Sequence, residues 1–280
     1  MTDVAASAST PASAPALDDP FVTTKEYRRF AEFLDAVRRY RYIGLCHGAP
    51  GVGKTVSARR YACWDTLEPL LRDPFWSVAP ARALLVNGAI FYTPTVTNAP
   101  TTIARHLDRL SQSLTWAIED HLALAADDPS PLPRSNRTEL IIVDEADRLK
   151  LPSLEQLRDI YDRTDTGLVL IGMPGIEKRL ARYPQLYSRV GFVHHYRTLS
   201  AEEMQFILAT KWGQLGLALA PDDFTDTEAV AAVARITGGN FRLIQRLFTQ
   251  IERILRINGL RLITKEVVEA ARENLVIGPL

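Results

Sequence analysis

The sequence has 280 residues, of which 46% are hydrophobic and 24% charged, and its 33 lysines and arginines balance 33 aspartates and glutamates. These values are typical of a soluble protein with one large domain, or one domain and a smaller partner, and they exclude a collagen, a coiled rod and a disulfide-stapled miniprotein. The two cysteines, Cys46 and Cys63, form no CxxC or Cys/His cluster, so neither a disulfide framework nor a zinc site is predicted.

No apolar run approaches the roughly 20 residues of a membrane span, and the N-terminus lacks the basic start and apolar stretch of a signal peptide. We therefore expect a cytoplasmic protein that does not associate with a membrane. The zero net charge argues against binding driven by a global positive field, but it leaves a local basic patch open, so nucleic acid stays a candidate partner.

The elements predicted along the chain are those of an α/β protein. Residues 1–20 are mostly Ala, Ser, Thr, Pro and Asp and are predicted to be a disordered tail, because they have little to bury. From Thr24, apolar residues recur every three or four positions and predict a first amphipathic helix. Five short apolar runs then predict a parallel sheet covered by helices: residues 42–46, 83–86, 140–143, 168–171 and 192–196.

Local signals also mark loops and helix starts. Three prolines predict a surface loop at residues 127–137. Ser153 with Gln156, and Ser200 with Glu203, fit the capping box that opens a helix.

Helical patterns dominate the C-terminal part of the chain. Apolar side chains on one side of residues 241–257 predict a long helix, and Thr264 opens a final one. We therefore divide the ordered chain into an α/β domain at residues 21–199 and a small helical domain at residues 200–280.

Residues 48–55 read Gly-Ala-Pro-Gly-Val-Gly-Lys-Thr, a full match to GxxxxGK[ST] between a predicted strand and a helical stretch. In such a loop the backbone N–H groups turn inward around phosphates, Lys54 reaches the β and γ oxygens, and Thr55 offers its hydroxyl to Mg²⁺. The alternative is an accidental glycine turn. The predicted nucleotide-binding residues here are Gly48, Ala49, Pro50, Gly51, Val52, Gly53, Lys54, Thr55 and Val56.

Two acids follow the third predicted strand. Asp144 and Glu145 end the run Leu-Ile-Ile-Val, as expected when a buried strand delivers carboxylates to the carboxyl edge of a sheet. Asp144 would hold the Mg²⁺ shell, and Glu145 would orient the attacking water. A plain acidic strand end is the alternative. Together the two motifs predict hydrolysis of Mg²⁺-bound ATP.

Over residues 21–275 the chain resembles the AAA+ ATPases, because further motifs of that family follow in order. The resemblance implies a P-loop NTPase fold: a five-stranded parallel sheet flanked by helices, with a C-terminal helical lid. It also implies that Arg189, in Tyr-Ser-Arg-Val, is the arginine finger that acts on a neighbouring subunit's nucleotide. Arg242, in Gly-Gly-Asn-Phe-Arg, resembles the lid arginine that approaches the nucleotide. A solvated surface arginine is the alternative for Arg189, and an ordinary helix-start arginine for Arg242.

The end of the fourth predicted strand departs from the family pattern. A polar side chain is usual there, but this chain has Met173, which cannot donate a hydrogen bond as Asn or Thr would. This predicts slow hydrolysis, which suits a switch better than a motor.

Within the family, the compact chain is similar to transposition regulators of the TnsC, TniB and MuB type. The likeness lies in four short segments: residues 171–175, 187–190, 238–243 and 263–268. It implies ATP-dependent self-assembly on double-stranded DNA, as a ring or helical filament, and recruitment or activation of a transposase, with a target-selecting protein as a further partner.

Two short stretches are candidates for sequence-tolerant DNA binding. The hydroxyl-rich segment after the second predicted strand, followed by a helix, offers Thr93, Thr95 and Arg105. The acid-free stretch at residues 178–199 offers Lys178 and Arg182. An ordinary Pro/Thr connection and a solvated basic face are the respective alternatives.

Two other functions stay open. A motor or remodelling ATPase would act on a protein and ignore DNA. A nucleotide-gated binding module would barely hydrolyse ATP. ATP turnover and its dependence on DNA separate the three.

Overall fold

The computed structural model describes most of the chain. The predicted tail at residues 1–20 and most of the predicted loop at 127–137 lie outside the described residues, which are 21–72, 85, 87–126 (backbone only from 120 to 126) and 136–275.

Among the described residues, helices and strands alternate as far as residue 195, and the elements described after that point are all helices. In chain order the elements are α1 Lys25–Tyr40, β1 Ile43–His47, α2 Lys54–Tyr61, α3 Trp64–Arg72, β2 Ala89–Tyr92, α4 Pro100–Ala126, β3 Leu140–Val143, a 3₁₀ turn Ala146–Arg148, α5 Leu151–Arg163, β4 Gly167–Gly172, α6 Ile176–Leu180, α7 Pro184–Tyr187, β5 Val190–His195, α8 Ala201–Gln214, α9 Phe224–Thr237, α10 Phe241–Asn258 and α11 Lys265–Glu273.

The strands form one parallel sheet in the order β2-β3-β4-β1-β5. Ile43 of β1 is in register with Leu168 of β4 and Val190 of β5. Because parallel strands point the same way, their carboxyl ends meet at one edge of the sheet. The loops that follow β1, β3 and β4 are therefore neighbours at that edge.

The predicted five-stranded parallel sheet is confirmed, and one of its strands was misplaced. The third prediction matches β3, and three others match strands within two residues at each end. The second strand is Ala89–Tyr92 and not residues 83–86. Of that prediction only Leu85 lies within the described residues, and it is outside the sheet. The four residues of β2 are all buried. Phe91 and Tyr92, at its end, were interpreted as the start of a loop because threonines and a proline follow them directly.

The buried hydrophobic residues of the described chain form two clusters. The larger one contains the sheet and the helices packed on it, from Phe30 of α1 to Tyr196 just after β5. The smaller one joins α8 to α11 around Trp212 and Phe248, whose rings meet edge to face at 5.3 Å. The second cluster gives the C-terminal helices a core of their own.

Capping explains where several helices begin. The predicted capping box at Ser200 and Glu203 is confirmed, and Thr264 caps α11 through its bond from Val267 N. The box predicted at Ser153 is wrong, because α5 begins two residues earlier, at Leu151. The Ser153 hydroxyl instead donates to the backbone and side-chain oxygens of Asn98, both at 3.0 Å, tying α5 to the loop after β2.

In the part of the chain that the structure describes, no helix combines the length and apolarity needed to cross a bilayer.

Candidate active site

The glycine-rich loop joins the carboxyl end of β1 to α2. Gly51 and Gly53 have φ angles of 81° and 113°, a region that glycine enters without steric cost. Helix α2 therefore starts at Lys54 with its first N–H groups directed into the loop, the usual arrangement for holding an anion.

Lys54 lies inside this loop. Its Nζ donates to the carbonyl oxygens of Gly48 and Ala49, at 2.5 and 2.9 Å. Burial lowers the pKa of the ammonium, while the negative charges of Asp144 and Asp147 oppose that shift. The cation is thus held at the loop's centre.

Thr55 and Asp144 meet across the edge of the sheet. The Thr55 hydroxyl donates to Asp144 Oδ2 at 2.7 Å, and Glu145 N donates to Asp144 Oδ1 at 2.9 Å. Burial raises the pKa of the Asp144 carboxyl, and these two hydrogen bonds counteract it. A carboxylate beside a hydroxyl is an oxygen donor set of the kind that Mg²⁺ prefers, so the residues fit that ion.

Glu145 has a left-handed backbone, with φ 49°, and forms an ion pair with Arg148. Arg148 Nη1 also donates to the Pro94 carbonyl at 3.1 Å. The sequence motif gives no sign of this link, which connects the second acid to the loop that follows β2.

The helical C-terminal part closes over the loop through Asn240 and Arg242. Asn240 Nδ2 donates to the Pro50 carbonyl oxygen at 2.8 Å, and the backbone N–H of Arg242 donates to the Gly51 carbonyl oxygen at 3.0 Å. A Cβ on Gly51 would lie 2.7 Å from the Arg242 Cβ, so the close approach requires glycine. Arg242 was predicted at this site from its sequence motif. Asn240 was not, although its place in the Gly-Gly-Asn turn before α10 was a signal for it.

A cavity of about 530 Å³ is lined by most of the residues predicted to bind nucleotide and Mg²⁺, but not by Gly48, Ala49 or Val52. Its lining includes Lys54 and Thr55 at the start of α2 and the two acids after β3, Asp144 and Glu145. Asp147, Met173 and two arginines of α10, Arg242 and Arg246, complete it. Phosphates held there would be surrounded by cations, the helix N-terminus and the oxygen pair that fits Mg²⁺. The exposed side chain of Met173 brings no hydrogen-bonding group to it.

A second cavity, of about 430 Å³, was not predicted; it adjoins the first, with which it shares Val56, Phe241 and Gln245. Tyr27, Val52, Val56 and Phe241 give it a largely apolar wall of the kind that holds a planar ring. Gln245 lines both cavities, so a molecule with a ring and a phosphate tail could occupy the two together.

Arg189 does not line either cavity. Its guanidinium makes a two-pronged ion pair with Asp162 of α5, Nε to Oδ1 at 2.6 Å and Nη2 to Oδ2 at 2.9 Å. This pair lowers the pKa of the Asp162 carboxyl. The predicted finger is therefore held by its own chain, away from its own loop.

The five candidate DNA contacts are exposed but lie in two groups. Thr93, Thr95 and Arg105 follow β2, and the Thr95 hydroxyl is used within its own loop, donating to the Thr97 carbonyl at 2.8 Å. Lys178 and Arg182 follow β4. The 3₁₀ turn Ala146–Arg148 contacts both of these segments. Arg148 donates to the Pro94 carbonyl in the segment after β2, and Arg179, after β4, donates to the Asp147 carbonyl at 2.8 Å.

Comparison with known proteins agrees with this geometry. The AAA domain family model matches residues 37–180. A potential ATP-binding protein of Staphylococcus aureus is 48% identical over 264 residues, covering 92% of this chain and 97% of that protein. DNA transposition protein B of a Mu-like prophage of Haemophilus influenzae is 25% identical over 238 residues, covering 81% of this chain and 71% of that protein.

Solved structures share the fold at low sequence identity. The Holliday junction branch migration motor RuvB of Thermotoga maritima gives a TM-score of 0.56 at 17% identity, over 90% of this chain and 69% of that one. Cdc6p of Pyrobaculum aerophilum gives a TM-score of 0.58 at 15% identity, over 95% of this chain and 71% of that one.

Proposed function

This chain belongs to the AAA domain family, and on that premise we propose that it is a slow, Mg²⁺-dependent ATPase that regulates DNA transposition. With ATP bound it would assemble on duplex DNA, recruit and activate a transposase for target selection, and disassemble after hydrolysis. The observation that supports nucleotide binding is that Lys54, the hydrogen-bonded pair Thr55 and Asp144, and Arg242 of the C-terminal helices line one cavity.

The residues have separable tasks in this proposal. Backbone N–H groups of the glycine loop and the Lys54 ammonium hold the phosphates. Thr55 and Asp144 would hold Mg²⁺, which neutralises phosphate charge when bound. Glu145 orients the attacking water, and Arg242 fixes the lid against the nucleotide. Arg189 would act on a neighbouring copy, so ATP binding and assembly depend on each other.

The ion pair between Glu145 and Arg148 supports regulation by a ligand. Arg148 contacts the Pro94 carbonyl, and Pro94 lies between the DNA candidates Thr93 and Thr95. A ligand that moves this loop would move Arg148 and release Glu145 toward the nucleotide. The relative named DNA transposition protein B supports duplex DNA as that ligand.

The first experiment is fluorescence anisotropy of a labelled random-sequence duplex, titrated with protein plus a non-hydrolysable ATP analogue, ADP or no nucleotide, at two salt concentrations. We expect cooperative binding with the ATP analogue alone, weakening steeply with salt because phosphate contacts release counterions. Lys54→Met should abolish the nucleotide dependence. Lys265→Met, an exposed lysine of α11, is the matched control.

ATP hydrolysis with and without DNA separates the rival functions. Stimulation of the unchanged protein by duplex DNA supports the regulator. Arg148→Gln removes the partner that holds Glu145, so its turnover without DNA should rise toward the DNA-stimulated rate and DNA should add little more. Fast turnover that ignores DNA would favour a motor acting on a protein. Absence of DNA binding under every nucleotide condition would leave an ATPase and reject the DNA-bound regulator.

A further inference from the structure

Asp147 is a third carboxylate in the 530 Å³ cavity, beside Asp144 and Glu145, and it lies outside the two-acid motif. It belongs to the 3₁₀ turn Ala146–Arg148 directly after Glu145. It lines the same cavity as Lys54, Thr55 and Asp144, and its charge is among those that favour the Lys54 ammonium.

The carboxylate of Asp147 is fixed to the end of β4. Its Oδ2 accepts the backbone N–H of Met173 at 2.7 Å. A Cβ on Gly172 would lie 2.7 Å from this oxygen, so glycine at that position allows the contact. Arg179 holds the same turn from the other side, donating from Nη1 to the Asp147 carbonyl at 2.8 Å. Two neighbouring elements thus determine where this side chain lies.

This placement puts a polar group where β4 itself provides none. Met173, the residue directly after β4, lies in the cavity lining, yet its thioether is at most a weak acceptor. One oxygen of Asp147 bonds the Met173 backbone, which leaves the lone pairs of Oδ1 for another donor. No described group donates to Oδ1, whereas the neighbouring Glu145 is paired with Arg148.

We propose that Asp147 is a catalytic residue of the ATPase: its free carboxylate oxygen accepts a hydrogen bond from the attacking water and so replaces the polar side chain absent from β4. The inference rests on the proposed function. Glu145, once released by Arg148, would accept the other hydrogen of the same water. The water oxygen bonds to the γ-phosphorus as the bond to the bridging oxygen breaks, and the water proton passes to Glu145 and then to solvent.

The test compares Asp147→Asn with the unchanged protein. Asparagine keeps an oxygen that can accept the Met173 N–H but loses the negative charge, so the turn should stay in place. We expect kcat to fall at least about tenfold. KM for ATP, the Kd of a fluorescent non-hydrolysable ATP analogue and the unfolding midpoint should stay unchanged. Asp165→Asn, on an aspartate whose side chain is 92% exposed, is the matched control.

A second variant distinguishes a role in positioning water from a structural one. Adding Met173→Asn to Asp147→Asn restores a polar side chain to the end of β4, and we expect it to recover part of the lost kcat. Full activity of Asp147→Asn would overturn the proposal, as would a loss of analogue binding equal to the loss of turnover. If the unchanged protein binds ATP but never hydrolyses it, the proposed ATPase function itself fails, together with this inference.

Discussion

The side-chain amide of Asn240 donates to the main-chain carbonyl of Pro50 at 2.8 Å, while its side-chain oxygen accepts the N–H of Leu243 at 3.3 Å. One asparagine thereby caps α10 and links the C-terminal helices to the glycine-rich loop. The two contacts use different atoms, so substitutions can separate them.

Asn240→Ser tests the lid contact. Serine is a good helix N-cap, but its short side chain cannot also donate to Pro50. We expect the affinity for a fluorescent ATP analogue to fall about tenfold, the equivalent of about 1.4 kcal/mol, because a charge-neutral hydrogen bond of this kind contributes about 0.5–1.5 kcal/mol.

Thr264→Ala is the control for this prediction, since Thr264 caps α11 and does not line the nucleotide cavities. It should lower the free energy of unfolding by about 1 kcal/mol and leave the analogue affinity unchanged. Equal analogue affinity in Asn240→Ser and the unchanged protein would reject the lid contact as a binding determinant.

Gly51→Ala is expected to separate the lid from the loop. Its Cβ would lie 2.7 Å from both the Arg242 Cβ and Asn240 Oδ1, and the φ of 81° is unfavourable for alanine. We expect analogue binding to weaken more than tenfold, as measured by fluorescence titration. Gly175→Ala shares the positive φ, at 100°, but meets no atom within 4 Å, so it reports the effect of backbone strain alone.

Asp162→Asn should release Arg189. The neutral amide loses the two-pronged ion pair, while Arg189 keeps its bond to the Gln185 carbonyl. If Arg189 acts on a neighbouring copy, the ATPase rate per subunit should rise by about two- to tenfold, with the increase appearing at lower protein concentration.

Arg158→Gln provides the comparison, because Arg158 also pairs with Asp162, at 2.6 Å, without holding Arg189. Arg189→Ala should abolish the dependence of the ATPase rate on protein concentration, both in the otherwise unchanged protein and together with Asp162→Asn. An Arg189→Ala protein with normal, concentration-dependent hydrolysis would show that the finger lies elsewhere.

Stability should fall as the pH falls through the range in which His194 titrates. Burial lowers the pKa of His194, whose ring packs on Phe33 with 5.4 Å between centroids, although Glu26 at 3.0 Å favours the protonated form. The unfolded chain therefore binds the proton at a higher pH than the folded one, and protonation favours unfolding. Each pKa unit of lowering corresponds to about 1.4 kcal/mol.

Urea unfolding at pH 7.5 and pH 5.5 measures this effect. The free energy of unfolding should decrease more between these values in the unchanged protein than in His194→Gln, which has no group to titrate at this position. An identical pH dependence in the two proteins would mean that Glu26 compensates for burial.

Residue patterns determined the main elements and the centre of the candidate site. Apolar runs identified four of the five strands of the described sheet. Strands β1, β3 and β4 are apolar because they are buried on both faces, whereas β5 alternates between half-buried and exposed residues. GxxxxGKT and the two acids after β3 identified Lys54, Thr55 and Asp144, because a short loop between a strand and a helix is defined by residues adjacent in the chain. The second strand was misplaced because four apolar residues directly before a Pro/Thr segment can be either a short strand or the start of a loop.

Only the tertiary structure decided which distant residues meet. The pairing of Asn240 with Pro50, the capture of Arg189 by Asp162 and the bond from Met173 to Asp147 join positions 26 to 190 residues apart. No periodicity or local motif encodes such contacts, since they arise when the order of strands brings separate loops to one edge of the sheet and the lid core packs above it. Sequence chemistry selected the groups that we propose act on phosphate, and packing determined which of them are held by other residues.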